Sequence, residues 1–577
     1  MKKSTVAKII FILHLAVVGG MQGECVQDGM NLWRLAECIA CSVGAQYEIK
    51  QTNYLNTITA SGHYKLCENI VDGGLGVLVI DASDVILDLG GYTIDGINGI
   101  SIKSNRNNVV IKNGTITNSL VAFFVTGNNQ NILIEDIVID TIINISSLGR
   151  AFTSEFGQLN GLLVRNVTVY NGSPINFFIN DSFFGPNKNI FFDNVTCIDF
   201  NPSYTSAPSP VGVIYLNNCD NVVLKDVMLT DQFTDINGIW LNTCTNIQVD
   251  GVTITSSLAA PPSARTAYLV DTCVVGLHKN ISINGGANSV FATGISNPGS
   301  TFTMFDTCLV EFVSGTGIIL DDENSIFNSQ VRFAGVNGFE IHAGNVVKNC
   351  KAIDNVLRGY LVNQAGSLFE DCYATGSNIG FANLSVAPNC EFVRCIANAN
   401  NTGFDLNGQN TELLLCIANN NTTNGARISN GGGSTVSNCV ISESIFNENG
   451  TQGVLVQSIF AEADFVAGNP VPGTWNIGQF PPTLGNTSGH GIKLTNNIAL
   501  RNGGRGFAMF GDVFDKAVPV NSVAFTTEIF PPIGVVNTIQ GAIFNDPKPI
   551  PNTSLGGLTG VVGRYANTVG GNLINDK

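Results

Sequence analysis

Apolar and polar residues alternate with period two through most of the chain. Gly338-Phe-Glu-Ile341, Gly403-Phe-Asp-Leu406 and Gly491-Ile-Lys-Leu494 place an apolar side chain on every second residue. That is the signature of a strand with one buried face. A second kind of short strand sets Asn or Asp before an apolar residue, as in Ile111-Lys-Asn113-Gly-Thr-Ile116, Ile134-Glu-Asp136-Ile-Val-Ile139 and Val164-Arg-Asn166-Val-Thr-Val169. Between these strands the helical period of 3.6 is absent, which excludes a βαβ fold.

The strands recur. The positions Gly317, Gly338, Gly359, Gly380, Gly403 and Gly425 step by 21, 21, 21, 23 and 22. The positions Cys308, Ser329, Cys350, Cys372, Cys395, Cys416 and Cys439 step by 21, 21, 22, 23, 21 and 23. Two independent markers give one period, so the chain is a repeat array. Several short strands per ~22 residues make one turn of a parallel β-solenoid, each coil lying ~4.8 Å from the next. The reading is all-β: a right-handed parallel β-helix of roughly 16 coils over residues 58–515, with a C-terminal cap or tail over 516–577. Residues 24–57 form the N-terminal cap, with the amphipathic stretch 31–43 as a short helix.

Equivalent positions stack in such a fold. The cysteines predict an interior column of small apolar thiols. Phe339, Tyr360, Phe381 and Phe404 predict an interior aromatic column. Asn113, Asp136, Asn166, Asn194, Asp226 and Asp250 predict a ladder at a turn, where short polar side chains satisfy local backbone groups. The N-x-S/T matches at Asn166 and Asn194 fall on this ladder and read as architecture. In the first half the steps lengthen to near 30, so some coils carry insertions, Ser203–Pro210 and Ala259–Arg265 among them. Solenoid insertions gather on one face, often the binding face.

Composition narrows the function. Of 577 residues, 12% are charged and the formal net charge is −16. Disorder and coiled coils are excluded, and a basic face for nucleic acid is unsupported. Met1-Lys2-Lys3, a short apolar run and small residues up to Gly23 read as a secretory signal over 1–23. The expected location is therefore extracellular, periplasmic or cell-surface. The remaining chain has no apolar stretch long enough to span a membrane. Cys25, Cys38, Cys41 and Cys67 cluster near the start and suit two disulfides, packing, or, through Cys38-x-x-Cys41, metal or redox chemistry.

The repeats, with Ile58-Thr-Ala-Ser-Gly-His-Tyr-Lys-Leu-Cys67 and Val79-Ile-Asp-Ala-Ser-Asp-Val-Ile-Leu-Asp-Leu-Gly-Gly-Tyr-Thr-Ile-Asp-Gly96, resemble the pectin-lyase-like superfamily of right-handed parallel β-helix proteins over about residues 55–515. The resemblance implies the fold. It leaves function open among polysaccharide lyases, glycoside hydrolases, esterases, tailspikes and adhesins. A polygalacturonase-like site is excluded by spacing. His490 follows Asp322 by about seven coils, hence ~30 Å or more along the stack, whereas paired carboxylates need ~5–10 Å.

The best constellation comes from stacking. Asp321 points outward after inward Ile318 and Leu320, with Asp322 following. One coil on, Glu340 and His342 point outward beside inward Phe339 and Ile341, and Arg358 precedes the next glycine. Asp321, Asp322, Glu340, His342 and Arg358 are the candidate catalytic residues, suited to acid–base work or to holding a cation, with calcium the candidate ion. The plainer reading is a solvated patch, since the stacked position continues as Leu361, Ala382, Asp405 and Arg427. Trp33 reads as cap core, Trp240 lies in a coil, inward or outward by one residue of register, and Trp475, in a loop, is the candidate sugar-stacking residue. The expected function is binding or processing of an extracellular polysaccharide, as a lyase or hydrolase if catalytic. The alternative is a non-catalytic surface solenoid or adhesin presenting loops to a partner.

Overall fold

The computed structural model describes residues 46–526, apart from 51–56, 73–77, 143–148, 173–174, 181–184, 201–211, 231–235, 257–264, 287–288, 430–438, 458–492, 496, 504–506, 511–517 and 521, together with residues 543–544. The expected signal, the helix at 31–43, Trp33, Trp475 and His490 lie outside the described residues, as do Cys25, Cys38 and Cys41. Every described element is a strand. Gln46–Ile49 already pairs in parallel with Gly62–Leu66, so coiling begins inside the segment expected to be a cap. At the other end, Ser522–Thr526 still pairs in parallel with Ile498–Asn502. Ile543–Phe544 then pairs antiparallel with it, which ends the parallel ladder. The expectation of roughly 16 coils runs through segments outside the description and stays an expectation. The chain divides into two units, residues 1–325 and 326–577.

In the first unit, long strands such as Asn107–Ser119, Asn129–Ile142, Leu159–Gly172, Asn187–Phe200 and Cys219–Thr230 stack in parallel. Ile111, Ile134, Val164, Phe192 and Leu224 lie in one register and are at most 1% exposed. Each long strand bends at two or three left-handed residues, and the bend that lines up across the coils lies at Asn113 (φ 59°), Asp136 (54°), Asn166 (51°), Asn194 (54°), Asp226 (51°) and Gly251 (79°). Asn and Asp tolerate this conformation better than other side-chain-bearing residues, and Gly adopts it freely. Their amides link the coils. Asn166 Nδ2 donates to Asp136 Oδ1 (2.9 Å), and Asn194 Nδ2 to Asn166 Oδ1 (2.9 Å). The ladder is thus as expected with one correction. Lys225 lies opposite Asp250, so Asp226 faces Gly251 and Asp250 stands one residue before the bend.

In the second unit the coils are shorter and more even. Phe339, Tyr360, Phe381 and Phe404 stack at centroid distances of 4.8, 4.6 and 5.0 Å, with interplanar angles of 7°, 2° and 10°. Phe369 and Phe392 form a parallel second stack at 4.9 Å. The glycines at the repeat marker are there for close approach. A Cβ on Gly359 would sit 2.6 Å from the Gly380 carbonyl oxygen, and one on Gly380 2.6 Å from that of Gly403.

The thiol column is also present, with a correction. Cys350, Cys372, Cys395 and Cys416 stack in register, each Sγ donating to a carbonyl two residues back. The next position is Ser444, whose Oγ accepts from the Cys416 amide at 3.0 Å. Cys439 belongs to another corner, in line with Thr411 and Cys390. A third corner holds buried Asn400, Asn421, Asn449 and Asn502. Burial pushes Cys197 up to about 12, and drives Cys273 and Cys395 upward as well. Thiolates are the reactive form. Alkylation of the native protein, read by peptide mass spectrometry, is therefore expected to leave Cys197, Cys244, Cys273 and Cys395, all raised by burial, unmodified. All four should react once urea unfolds the chain. Native labelling would mean that these corners open.

Candidate functional site

Asp321 and Asp322 close the strand Ile318–Leu320 of the first unit. Their turn is internally fastened. The Gly299 amide donates to Asp321 Oδ2 (2.5 Å), and the Asp321 amide donates to Asn297 Oδ1 (2.9 Å). Asn324 Nδ2 donates to the carbonyls of Asp321 (3.0 Å) and Asp322 (2.8 Å). One carboxylate oxygen of Asp321 is thus engaged in holding a left-handed Gly299 (φ 61°) in place.

Glu340, His342 and Arg358 belong to the second unit. Phe339 and Ile341 are fully buried while Glu340 and His342 are only partly covered, so the alternation expected from the sequence holds. Glu340 Oε1 accepts from Asn363 Nδ2 (2.6 Å) and lies 3.9 Å from His342 Nε2, and Oε2 accepts from Asn337 Nδ2 (3.3 Å). The nearby His342 ring, with the two amides adding to it, holds the Glu340 carboxyl below its usual range against the opposing effect of burial. A carboxylate kept ionised this way is a poor general acid near neutrality.

Arg358 does not join them. It lies opposite Asn337, three residues before Glu340 along the strand, or about 10 Å away by strand rise. It is in phase with inward Tyr360, whereas Glu340 faces Leu361. The stacked row continues as Leu361, Ala382, Asp405 and Arg427, as the sequence indicates. There Arg427 grips Asp405 through two bonds, of 2.9 and 2.6 Å. The acids at the turn ladder also have partners. Lys225 Nζ lies 3.3 Å from Asp193 and 3.7 Å from Asp226, so a lysine already neutralises carboxylates that calcium would need.

A different constellation stands on the first unit. The short strands Val121–Thr126, Arg150–Glu155, Phe177–Asn180, Gly212–Asn217, Asn237–Asn242 and Thr266–Asp271 pair in parallel. Their central position, on the side away from the core, reads Phe124, Thr153, Phe178, Tyr215, Trp240 and Leu269 in strict register; Phe124, Phe178, Trp240 and Leu269 are partly exposed, while Thr153 and Tyr215 are covered, at 1% and 6% exposure. Inward neighbours such as Phe177, Ile214 and Ile239 are at most 1% exposed, which fixes the direction of the outward set. Phe178 and Tyr215 stack at 5.3 Å, and Trp240 meets Tyr215 edge-on at 5.1 Å. The Arg150 guanidinium lies over the Phe178 ring at 3.9 Å. It also donates to Thr153 Oγ1 at 2.8 Å and to the Glu155 carboxylate. Trp240 Nε1 makes no hydrogen bond with the described residues.

Two residues further along each strand runs a polar row. Asn217 Nδ2 donates to Asn180 Oδ1 (2.7 Å), and Asn242 Nδ2 to Asn217 Oδ1 (2.7 Å), with Asp271 next in register. An aromatic column beside an amide column is thus built into one face. The insertions at 201–211, 231–235 and 257–264 each precede a strand of this face in the chain. Trp240, left open by the sequence as inward or outward, stands in the outward column.

Among known proteins, the family described as the right-handed β-helix region matches residues 293–456. With the parallel coils described above, that match makes the chain a right-handed β-helix protein. No curated protein matches. Among solved structures, the chain is similar to the A-module of mannuronan C-5 epimerase AlgE6 from Azotobacter vinelandii, at 10% identity and a TM-score of 0.28, covering 82% of this chain and 99% of that one. It is also similar to the periplasmic alginate epimerase AlgG (10%, TM-score 0.19, 82% of each chain). An exopolygalacturonase from Thermotoga maritima follows at 10% and 0.24, covering 73% and 95%. At these values, ligand and chemistry have to come from the residues of this chain. No helix among the described residues is long and apolar enough to cross a membrane.

Proposed function

We propose that this chain is a secreted polysaccharide-binding β-helix, exported by residues 1–23, whose glycan lies on the short-strand face of the first unit. The observation that carries this reading is the outward column Phe178, Tyr215 and Trp240, flanked by the amides of Asn180, Asn217 and Asn242. Aromatic faces cover the apolar C–H surfaces of sugar rings, and side-chain amides offer both donors and acceptors to hydroxyl groups. Stacked coils repeat this pair of features every ~4.8 Å, which suits a long ligand made of repeated units.

Trp240→Ala tests it. Retention in gels containing soluble polysaccharides should fall about tenfold or more, because a central aromatic anchor carries a disproportionate share of contact energy. Urea unfolding of the variant, measured alongside, separates the lost contact from any loss of fold caused by removing the ring packed on Tyr215. Unchanged retention would remove the face from the function and leave the surface-solenoid or adhesin reading.

Processing of the bound chain is the second reading, with Glu340 and His342 as its candidate groups. The Glu340–His342 contact favours it, as a carboxylate and an imidazole within reach of one another. Formation of reducing ends or unsaturated product, abolished in Glu340→Gln, is the readout that supports it.

A further inference from the structure

Resting on the polysaccharide reading, we infer that the ligand of the aromatic face is a neutral glycan, and that uronic-acid polymers are excluded from it. The argument is one of charge. A uronan brings a carboxylate on every sugar, and each must find a cation or keep its water. The strands of this face hold one guanidinium, Arg150, already engaged by the Glu155 carboxylate and by Thr153 Oγ1. Arg265 enters only before Thr266, at the end of the strands opposite the asparagine row. Two carboxylates stand at the ends of that row, Glu155 in the strand before Asn180 and Asp271 in the strand after Asn242. The chain segments 143–148, 173–174, 181–184, 201–211, 231–235 and 257–264, which lead into or out of these strands, contain no lysine or arginine and carry Asp181, Asp231 and Asp235. The formal net charge of −16 adds a long-range repulsion of the same sign.

What the face does offer is neutral. The Asn180–Asn217–Asn242 row is hydrogen-bonded amide to amide, each bond using one N–H of the donor and one lone pair of the acceptor. The second N–H and further lone pairs of each amide are the complement of a hydroxyl, which both donates and accepts. The aromatic steps of 5.3 and 5.1 Å run from coil to coil. The ligand is therefore an extended, uncharged polysaccharide lying across the strands, its rings on the partly exposed Phe178 and Trp240 and its hydroxyls toward the asparagines.

The test is affinity gel electrophoresis and calorimetry of the full chain. The ligands are mixed-linkage β-glucan, xyloglucan and galactomannan as neutral polymers, with polygalacturonate and alginate as anionic ones, each at low and physiological salt. We expect retention by at least one neutral polymer, little changed by salt and weakened about tenfold or more in Trp240→Ala and in Phe178→Ala. The anionic polymers should show none. Trp240-dependent binding of polygalacturonate or alginate that weakens with salt would overturn the neutral assignment and keep the binding face. Absence of binding to every polymer, or binding indifferent to both substitutions, would overturn both. Two substitutions at separate coils, with unfolding curves for each, distinguish a lost contact from a lost fold.

Discussion

Replacing Asn421 by leucine should destabilise the protein by about 3–5 kcal/mol, although leucine is close to asparagine in size. The side chain is 1% exposed and every polar atom in it is used. Its Oδ1 accepts from the Asn400 amide (3.0 Å). Its Nδ2 donates to the Ala397 carbonyl (3.1 Å) and to Asn449 Oδ1 (2.8 Å). The leucine would leave the Asn400 N–H and the Ala397 C=O buried without partners, at roughly 1–3 kcal/mol each, and would crowd a corner shaped for an amide. The neighbouring Asn401 is exposed and makes its bond to Asn378 in water. Asn401→Ala should cost about 1 kcal/mol or less. Urea midpoints at constant m-value provide the comparison. Equal effects at the two positions would mean that the buried ladder is no more than a spacer.

This ladder also shows which parts of the fold were legible. The second unit repeats at a nearly constant period without large insertions, so glycine, aromatic and cysteine columns could be read off by counting. Counting failed where length changed inside one coil. The step from Cys416 to Cys439 fits the period, yet residues 430–438 fall within it and the true successor of Cys416 is Ser444. The buried asparagines were missed for a different reason. They follow the corner cysteines at a constant offset, as in Cys395/Asn400 and Cys416/Asn421, but in an Asn-rich sequence interior and exterior amides look alike. Only the neighbouring Ala397 and Ala418, too small to fill the coil, hinted at an inward amide. The aromatic face escaped because its members, Phe178, Tyr215 and Trp240, are unevenly spaced along the chain. Stacking arithmetic needs an even period, and the insertions between these strands in the sequence remove it. The same arithmetic placed Arg358 next to Glu340 in the chain pattern. Register sets it beside Asn337, three residues away along the strand.

The largest pH effect should come from a residue outside any of these sites. His278 is completely buried in the first unit, stacked on Phe305 at 4.8 Å. Its Nδ1 meets the Tyr268 hydroxyl at 2.8 Å, and its Nε2 has no hydrogen-bond partner among the described residues. Burial alone drives its pKa from 6.5 down to about 3. The folded state therefore keeps the ring neutral at pH values where the unfolded chain takes up a proton. Between about pH 6.5 and 3 the unfolded state binds more protons, so stability falls as pH falls through that window and levels off below it. At ~1.4 kcal/mol per pH unit the loss is on the order of 5 kcal/mol across the window, and on the order of 2 kcal/mol by pH 5. Carboxylates such as Glu340, whose pKa is lowered, add a loss of the same sign toward the acid end, so wild type alone does not isolate the histidine. The isolating measurement is the difference between wild type and the double variant Tyr268→Phe/His278→Leu, which removes the ring and its hydroxyl partner together. Their urea midpoints should differ at pH 7 by a repacking cost. That gap should shrink, or reverse in favour of the variant, as pH drops to 5. A gap independent of pH would mean that the core admits a charged imidazole at Tyr268 and Phe305, and that the first unit opens there well before it unfolds.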